Sequence, residues 1–362
     1  MDRILQQAIQ YLQDEVRPQA QEIDQSVDAL RSALDGLCKL DLMAMKRPAE
    51  FGGPEIPEES FRIFQQEVAR TSGALAFLQT QHQSAVSMLS KSENSDLKGR
   101  YLPKMGNGEK LVGIGFSQLR RPGEPIMRAE KLDGGYRLSG HIPWITGWSF
   151  YPEFLIGASL PDGQAVFAVV PLVATDSSQG KISISEPMKL AAMETAMTVT
   201  ADFTNWFVPY ADVAFIRPSG WIQANDMINI ALQGHFALGC AQAGLDVLKT
   251  SADKRGFQFL IDTHDRLSDE LAECKEETVK AQQAVGEDES PVQSLAEWRL
   301  NVRAWAIDLA VRCAHAAVTA SSGAANSLKH PAQRIYREAL VYTVSAQTTP
   351  IMEATLKRLL RS

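Results

Sequence analysis

Apolar residues recur three or four positions apart through the first third of the chain. They do so in residues 4–16, 27–40 and 61–70, the pattern of helices that bury one face. The loop Phe51-Gly52-Gly53-Pro54 contains residues that interrupt helices. The spacing therefore predicts a helical domain over residues 1–107.

The middle third has a different pattern, with short runs rich in Val, Ile, Phe and Thr. Gly, Pro and Asp separate these runs, and Asp133-Gly134 is typical of a tight hairpin turn. We therefore predict a compact, mostly antiparallel β-domain over residues 108–218. The clearest runs are residues 111–116, 136–138, 165–170 and 198–203.

Helical spacing returns after Pro218 and continues to the end of the chain. It covers residues 227–252, 264–285 and 292–321, with a polar turn expected at 286–291. Long amphipathic segments joined by short turns are typical of helical bundles. The predicted fold class is α+β, with an N-terminal helical domain, a central antiparallel β-domain and a C-terminal four-helix bundle over residues 219–362.

Composition excludes several classes of protein. The 362 residues are 45% hydrophobic with a net charge of −7, enough for a large core and without the basic surface that nucleic acids require. The chain has no run apolar enough for a membrane span and no signal-peptide pattern at its start. Its four cysteines are scattered, which predicts reduced thiols and favours the cytoplasm. They are Cys38, Cys240, Cys274 and Cys313.

Two short motifs match known binding or catalytic patterns only in part. Gly113-Ile114-Gly115 lacks the third glycine of a dinucleotide fingerprint and is followed by more strand. The next residues, through Leu119, lack the closing glycine of a hydrolase nucleophile turn. The six histidines are dispersed, so we predict no metal site.

Three longer motifs occur in order along the chain. They are RYLPKM followed by NGEK within residues 100–110, YRLSGHIPWITG at 136–147, and PAQRIYREALVY at 331–342. Together they resemble the acyl-CoA dehydrogenase family over nearly the whole chain, in an order that agrees with the helix, strand and helix pattern. The resemblance implies that family's three-part fold.

The resemblance also implies a bound FAD. Trp144 and Thr146 match the family's flavin-contacting tryptophan and threonine. An indole can pack against the isoalloxazine, and a threonine hydroxyl can stabilise charge on the reduced ring. Ser117 matches the loop at the polar edge of the flavin, and Thr348 matches the family's threonine after the catalytic position. We therefore expect all four residues to contribute to cofactor binding.

Two other cofactor elements of the family are only partly preserved. Arg255, Phe257 and Gln258 remain from the element that reaches a neighbouring subunit's cofactor, and Gly323 remains from a glycine-rich run. The resemblance implies a homodimer or homotetramer, with a small-molecule substrate of the acyl-CoA class. It also implies an electron-transferring flavoprotein as the electron acceptor.

The loop after the first strand also departs from the family pattern. It is about three residues shorter, and it contains Arg120 and Arg121 in place of the family's small residues. A guanidinium can bind a phosphate, so the two arginines are candidates for that contact. The alternative interpretation is an ordinary solvated loop.

The largest departure is at the catalytic position. The family's glutamate, which removes the α-proton of the acyl-CoA, is replaced by Ala346. Some members place this base on the first bundle helix, where this chain has Gly234. The adjacent His235 is the candidate replacement, because imidazole titrates near neutral pH. Glu338 and Glu353, each about two turns from Ala346, are weaker candidates.

Three functions remain open from the sequence. The first is an FAD-dependent oxidoreductase that moves a hydride from an acyl thioester-like substrate to the flavin with a non-standard base. The second is a flavin-dependent monooxygenase or oxidase on the same fold, for which Ala346 is no obstacle. The third is a catalytically silent flavoprotein scaffold, which the eroded cofactor elements favour.

Overall fold

A computed structural model of the protein describes residues 3–284 and 292–360, and the polar turn expected at 286–291 lies outside them. Helices form the first part of the chain because apolar residues line one face of each. In α3, for example, Leu30, Leu34 and Leu37 are buried, and the Ser26 side chain caps the helix by accepting from the Ala29 amide. The helices are α1 (Arg3–Tyr11), α2 (Ala20–Ile23), α3 (Val27–Lys39), α4 (Glu58–Thr71), α5 (Gly73–Ser90) and α6 (Ser95–Tyr101).

The central part is one sheet of nine described strands. Their order is β6-β7-β8-β3-β2-β4-β5-β9, and β1 pairs in parallel with β4. Most other neighbours are antiparallel. The strands are β1 (Val112–Gly115), β2 (Met127–Leu132), β3 (Gly135–Thr146), β4 (Glu153–Ser159), β5 (Ala165–Pro171), β6 (Thr175–Ser177), β7 (Gly180–Ile184), β8 (Thr198–Pro209) and β9 (Val213–Arg217).

Both faces of the sheet's centre are covered, which explains the continuous apolar runs of β4 and β5. On one face, Leu155 and Phe167 belong to a core shared with Val86 of α5 and Leu97 of α6. On the other face, strand residues such as Phe154 pack with each other in a second core. The N-terminal helices and the β-domain are therefore held together by a shared apolar core.

The last part of the chain is helical again. Its helices are α7 (Trp221–Asn229), α8 (Gly234–Arg255), α9 (Gln258–Gln283), α10 (Val292–Ser321), α11 (Pro331–Val344) and α12 (Thr349–Leu359). Helix α8 packs against α9, α10 and α11 and also against α4, and α12 packs on α10. The predicted fold class is confirmed.

Two helix boundaries differ from the spacing-based expectation. The helix predicted over 227–252 is divided by a 3-10 turn at Ala231–Gln233, although Ile230 and Gly234 keep right-handed helical backbone angles. The helix predicted from residue 264 begins at Gln258. Its first turns expose Phe259, so they lack the apolar face from which spacing identifies a helix.

All four cysteines are buried and have free thiols. Burial is the leading cause that raises the pKa of Cys38 to about 12, so its thiol stays protonated at neutral pH. Among the described residues, every helix is too short or too polar to span a lipid bilayer.

His82 joins α5 to the segment that enters the sheet. The ring is fully buried, with Nε2 3.0 Å from the Met105 carbonyl oxygen and Nδ1 2.9 Å from the Val112 amide nitrogen. Burial lowers the pKa of His82 to about 4, and the contacts of the ring with the Met105 and Val112 backbone, which raise the pKa, oppose this only in part. The folded state therefore holds His82 neutral.

We predict that the protein loses stability as the pH falls from about 6.5 to 4. In that window the unfolded chain protonates His82 and the folded chain does not, so protons favour unfolding. His82→Asn, which keeps a polar group at this site, should remove about 2 kcal/mol of the loss between pH 7 and 5. Urea unfolding at the two pH values measures it.

The control for this experiment is His315→Gln, which changes an exposed histidine of α10. It should show the same loss between pH 7 and 5 as the parent protein. An equal loss in His82→Asn and the parent would contradict the assigned role of His82.

Candidate functional site

The end of β3 presents the two residues expected to contact a flavin. Trp144 is 49% exposed, whereas Thr146 is buried with its Oγ1 3.1 Å from Oγ1 of Thr198 on β8. The pairing of β3 with β8 shifts between Ile142 and Ile145, so that β3 contains one extra residue. This bulge lets Ile142 and Ile145 face the same core, although strict alternation would put them on opposite faces. The bulge thereby leaves Trp144 on the surface.

Strand β1 runs beside this end of β3 and brings Ser117 towards it. A Cβ on Gly113 would lie 3.6 Å from the Thr146 carbonyl oxygen, and one on Gly115 would lie 3.4 Å from Cγ1 of Ile145. Ser117 begins the 3-10 turn that follows β1. Its Oγ is buried with no hydrogen-bond partner in the described part of the chain, which is uncommon for a buried hydroxyl and marks a place where a ligand can bind.

The turn after Ser117 is anchored at both sides. The Gln118 side chain donates from Nε2 to the Gly157 carbonyl at 2.7 Å. Arg120 makes a bidentate ion pair with Asp226 of α7, with nitrogen to oxygen distances of 2.7 and 2.8 Å. Arg120 is thus already paired with a carboxylate, whereas Arg121 is exposed. Of the two arginines considered for phosphate binding, Arg121 has the more accessible guanidinium.

A surface cavity of about 670 Å³ lies close to the end of β3. Thr195 and Met197, which line it, precede Thr198, the partner of Thr146. Arg337 of the third sequence motif lines it from α11. The cavity therefore lies between the N-terminal helices, the β-domain and the bundle.

Ala346 lies in the short turn between α11 and α12. Its backbone has φ of 50°, a left-handed conformation that is uncommon for alanine, and its methyl group can neither accept nor donate a proton. Thr348 is the N-terminal cap residue of α12 but makes no capping hydrogen bond through its side chain. Its hydroxyl is thus not committed to the helix.

Sequence reasoning did not identify the residue that faces this turn. Arg303 of α10 is 2% exposed and donates from Nη2 to the Ser345 carbonyl oxygen at 3.1 Å. Its Nε has no partner among the described residues. Burial lowers the pKa of Arg303 to about 10, which still leaves the guanidinium charged at neutral pH.

His235, the candidate base, is enclosed inside the helical part of the chain. It is 1% exposed, with Nδ1 2.7 Å from the Gln66 amide nitrogen and Nε2 2.5 Å from that of Gln282. Burial, followed by the nearby Arg62 guanidinium, lowers the pKa of His235 to about 4. A ring whose two nitrogens already have partners, and which solvent does not reach, fits a packing role better than proton transfer.

The two carboxylates considered as substitutes are also engaged. Glu338 is buried, accepts from Arg334 at 2.7 Å and from the Gly73 amide at 3.0 Å, and burial raises its pKa. Glu353 is at the surface, where a hydrogen bond from Lys357 at 2.6 Å lowers its pKa. Neither carboxylate is placed at the turn that contains Ala346.

The remaining predicted residues lie at the surface of the helical domain. Gly256, in the left-handed conformation, ends α8 between Arg255 and Phe257. The Phe257 ring is 48% exposed, and Gln258 bonds to Asp262 within α9. Gly323 lies in a 3-10 turn with open space beside it. In the described chain, no hydrogen bond links these residues to β1 or β3, whereas Trp144 and Thr146 lie on β3 and Ser117 begins the turn after its neighbour β1.

Comparison with known proteins identifies relatives of the whole chain. The family model of the acyl-CoA dehydrogenase N-terminal domain matches residues 2–109. The mitochondrial isovaleryl-CoA dehydrogenase of Pongo abelii is 24% identical over 375 residues, which cover 98% of this chain and 87% of the relative.

Solved structures give the same result for the fold. Butyryl-CoA dehydrogenase from Megasphaera elsdenii superposes with a TM-score of 0.78 at 18% identity, covering 100% of this chain and 99% of its own. An acyl-CoA dehydrogenase from Bacillus anthracis, complexed with FAD, gives 0.80 at 18% identity and covers 99% of this chain and 66% of its own. The chain therefore carries an acyl-CoA dehydrogenase N-terminal domain and has the acyl-CoA dehydrogenase fold, as the sequence motifs predict.

Proposed function

We propose that the protein is an FAD-dependent oxidoreductase that holds the flavin at the end of β3. The observation that carries the proposal is the grouping of Ser117, Trp144 and Thr146, in which the buried Ser117 hydroxyl has no partner in the described chain. Bound FAD would supply the hydride acceptor for an acyl thioester-like substrate. The fit of the residues to FAD rests on this unsatisfied hydroxyl and on the exposed indole of Trp144.

Each of the three side chains has a role that its position allows. Trp144 can cover one side of a flat aromatic ring and exclude water from it. Thr198 can donate to Thr146, which leaves the Thr146 hydroxyl proton for a ring nitrogen or oxygen. Ser117 can donate a second hydrogen bond from the neighbouring strand end.

The chain has no carboxylate at either position that the family uses for a base. Ala346 and Gly234 have no ionisable side chain, and His235 is enclosed between two glutamines. We therefore propose that hydride transfer proceeds with a proton acceptor other than these three residues. A substrate whose α-proton is acidic enough for solvent water to accept it meets this condition.

The same observation favours a second candidate function. A flavin-dependent oxidase or monooxygenase needs no base at the α-carbon, so Ala346 is compatible with it. A catalytically silent flavoprotein is the third outcome, and it is the one expected if no substrate reduces the flavin.

We also propose that the protein forms a homodimer or homotetramer through its last two helices. Tyr336, Leu340 and Val344 recur every four residues on α11 and are 45–57% exposed. Met352 and Leu356 are likewise exposed, four residues apart, on α12. Exposed apolar side chains that recur on a helix face are typical of a protein–protein interface. Reduced flavin in such an assembly would pass its electrons to an electron-transferring flavoprotein.

One prediction of the proposed function concerns the cofactor. The purified protein should show the flavin band near ~450 nm and release FAD on denaturation. Thr146→Val and Ser117→Ala each remove one hydrogen bond of about 1 kcal/mol, so each should weaken FAD binding by about five- to tenfold. Fluorescence titration of the apoprotein with FAD measures the dissociation constants.

The matched control is Thr204→Val, the same exchange at an exposed position of β8. It should leave the FAD dissociation constant unchanged. A colourless parent protein that takes up no added FAD would contradict the proposed function.

Another prediction of the proposed function concerns the reaction. Mixing with acyl-CoAs of increasing chain length without oxygen should bleach the flavin band for at least one of them. His235→Gln should bleach at the same rate and with the same pH dependence, because the ring is enclosed. Stopped-flow absorbance measures the rates.

Two results would change this assignment. No bleaching by any acyl-CoA, together with oxygen consumption by the chemically reduced protein and oxygenation of an added substrate, would favour the monooxygenase. Loss of bleaching in a folded His235→Gln variant would restore His235 as the base.

A further inference from the structure

Arg303 is a buried cation with no counter-ion in the described part of the chain. Its side chain is 2% exposed, and no carboxylate among residues 3–284 and 292–360 lies within salt-bridge distance of it. Among these residues, its hydrogen bond goes to a neutral acceptor, the Ser345 carbonyl, and its Nε has no acceptor. Removing a guanidinium from water without pairing it is strongly unfavourable, so the arrangement is incomplete as it stands.

Arg303 lies between the two positions where the family supplies a carboxylate. Its guanidinium holds the backbone of Ser345, one residue before Ala346. One helical turn along α10 from Arg303, the Ala306 side chain lies 3.6 Å from where a Cβ on Gly234 would be. The chain therefore keeps small residues at both positions, and both positions adjoin the helix that carries the buried guanidinium.

Two more buried polar groups near this turn lack partners in the described structure. They are the hydroxyl of Tyr342 and Oε1 of Gln347. Tyr342 is on the last turn of α11, four residues before Ala346, and its ring stacks on Phe236 of α8. A tyrosine hydroxyl and a guanidinium are both donors to an oxyanion.

We propose that Arg303 binds the carboxylate of a small anionic ligand whose charged group lies beside Ala346. The proposal rests on the proposed function, since it narrows the acyl thioester-like substrate to one that also carries a free carboxylate. The exchange of glutamate for alanine removes the volume of a carboxylate and a methylene group. A ligand carboxylate would take the place of that side chain and supply the charge that Arg303 lacks among the described residues.

A carboxylate suits this position better than a phosphate does. The free donors of Arg303 lie in the plane of the guanidinium, which matches the planar, two-oxygen geometry of a carboxylate. In this arrangement Arg303 holds the ligand and Ala346 leaves room for it. Arg303 is thus a ligand-binding residue and takes no proton itself.

The proposal has a consequence for the missing base. A glutamate introduced at residue 346 would be paired with Arg303 and held ionised, with its oxygens engaged. Ala346→Glu alone should therefore not create acyl-CoA dehydrogenase activity. It should instead fill the carboxylate position from within the chain and raise the melting temperature.

The test is calorimetric titration of the purified, FAD-loaded protein. The probes are acetate, propionate and butyrate, with acetamide, propionamide and butyramide as uncharged ligands of the same shape. At least one carboxylate should bind at least tenfold more tightly than its amide. Arg303→Met should reduce that affinity at least tenfold while FAD content stays the same, and Arg303→Lys should reduce it less.

Arg266→Met, which removes an exposed guanidinium of α9, is the matched control and should bind the carboxylate as the parent does. Equal binding of acid and amide, or full carboxylate binding by a folded Arg303→Met variant, would overturn the proposal. If Arg303→Met does not fold, the Ala346→Glu variant tests the proposal instead. Unchanged carboxylate binding together with an unchanged melting temperature in that variant would also overturn it.

The outcome for Arg303 can be separated from the outcome for the flavin. The same titration without FAD reports on the carboxylate position alone, because Arg303 and Ser345 belong to the helical bundle. A protein that binds no FAD but still prefers the acid would refute the proposed oxidoreductase and retain the Arg303 site. A protein that binds FAD but shows no preference for the acid would refute the Arg303 site and leave the proposed oxidoreductase standing.

Discussion

The buried ion pair between Arg334 and Glu338 holds the helical bundle against the N-terminal helices. Glu338 accepts from Arg334 within α11 and from the Gly73 amide at the start of α5. Arg334 also donates to Gln21 at 2.6 Å. One turn of α11 thus satisfies the first backbone N–H of an N-terminal helix, where the positive end of the helix dipole favours a carboxylate. A side chain on Gly73 would overlap Glu338, so this contact requires a glycine.

The neighbouring Arg337 extends this connection to the β-domain. It pairs with Asp24 from the N-terminal helices and donates to the Ala191 carbonyl at 3.1 Å. Because α11 also leads directly into the turn containing Ala346, the position of that turn relative to β3 depends on these buried charges. Glu338 is therefore better understood as a structural carboxylate than as a reserve base.

The sequence predicted the element types well because helical and strand spacing follow burial directly. The motif residues Trp144 and Thr146 were found by resemblance, but their exposure depends on an extra residue in β3 that no local signal reveals. Arg303 was missed because an arginine in an amphipathic helix is usually solvated. Only the packing of α10 against the turn after α11 shows that it is buried, since the sequence separation between Arg303 and Ser345 is 42 residues. The start of α9 differs from the spacing-based prediction because its first turn exposes apolar side chains and so lacks a buried apolar face.

The extra residue in β3 acts as a phase shift in the strand. Before the extra residue, the β3 side chains that face the core are at even-numbered positions such as Leu138 and Ile142. After it, Ile145 faces the core from an odd-numbered position. Without the bulge, strict alternation would put residues 142, 144 and 146 on one face, which would turn the Trp144 indole towards the core and Ile145 away from it. The spacing of this motif along the chain is thus as much a part of its identity as the residues it contains.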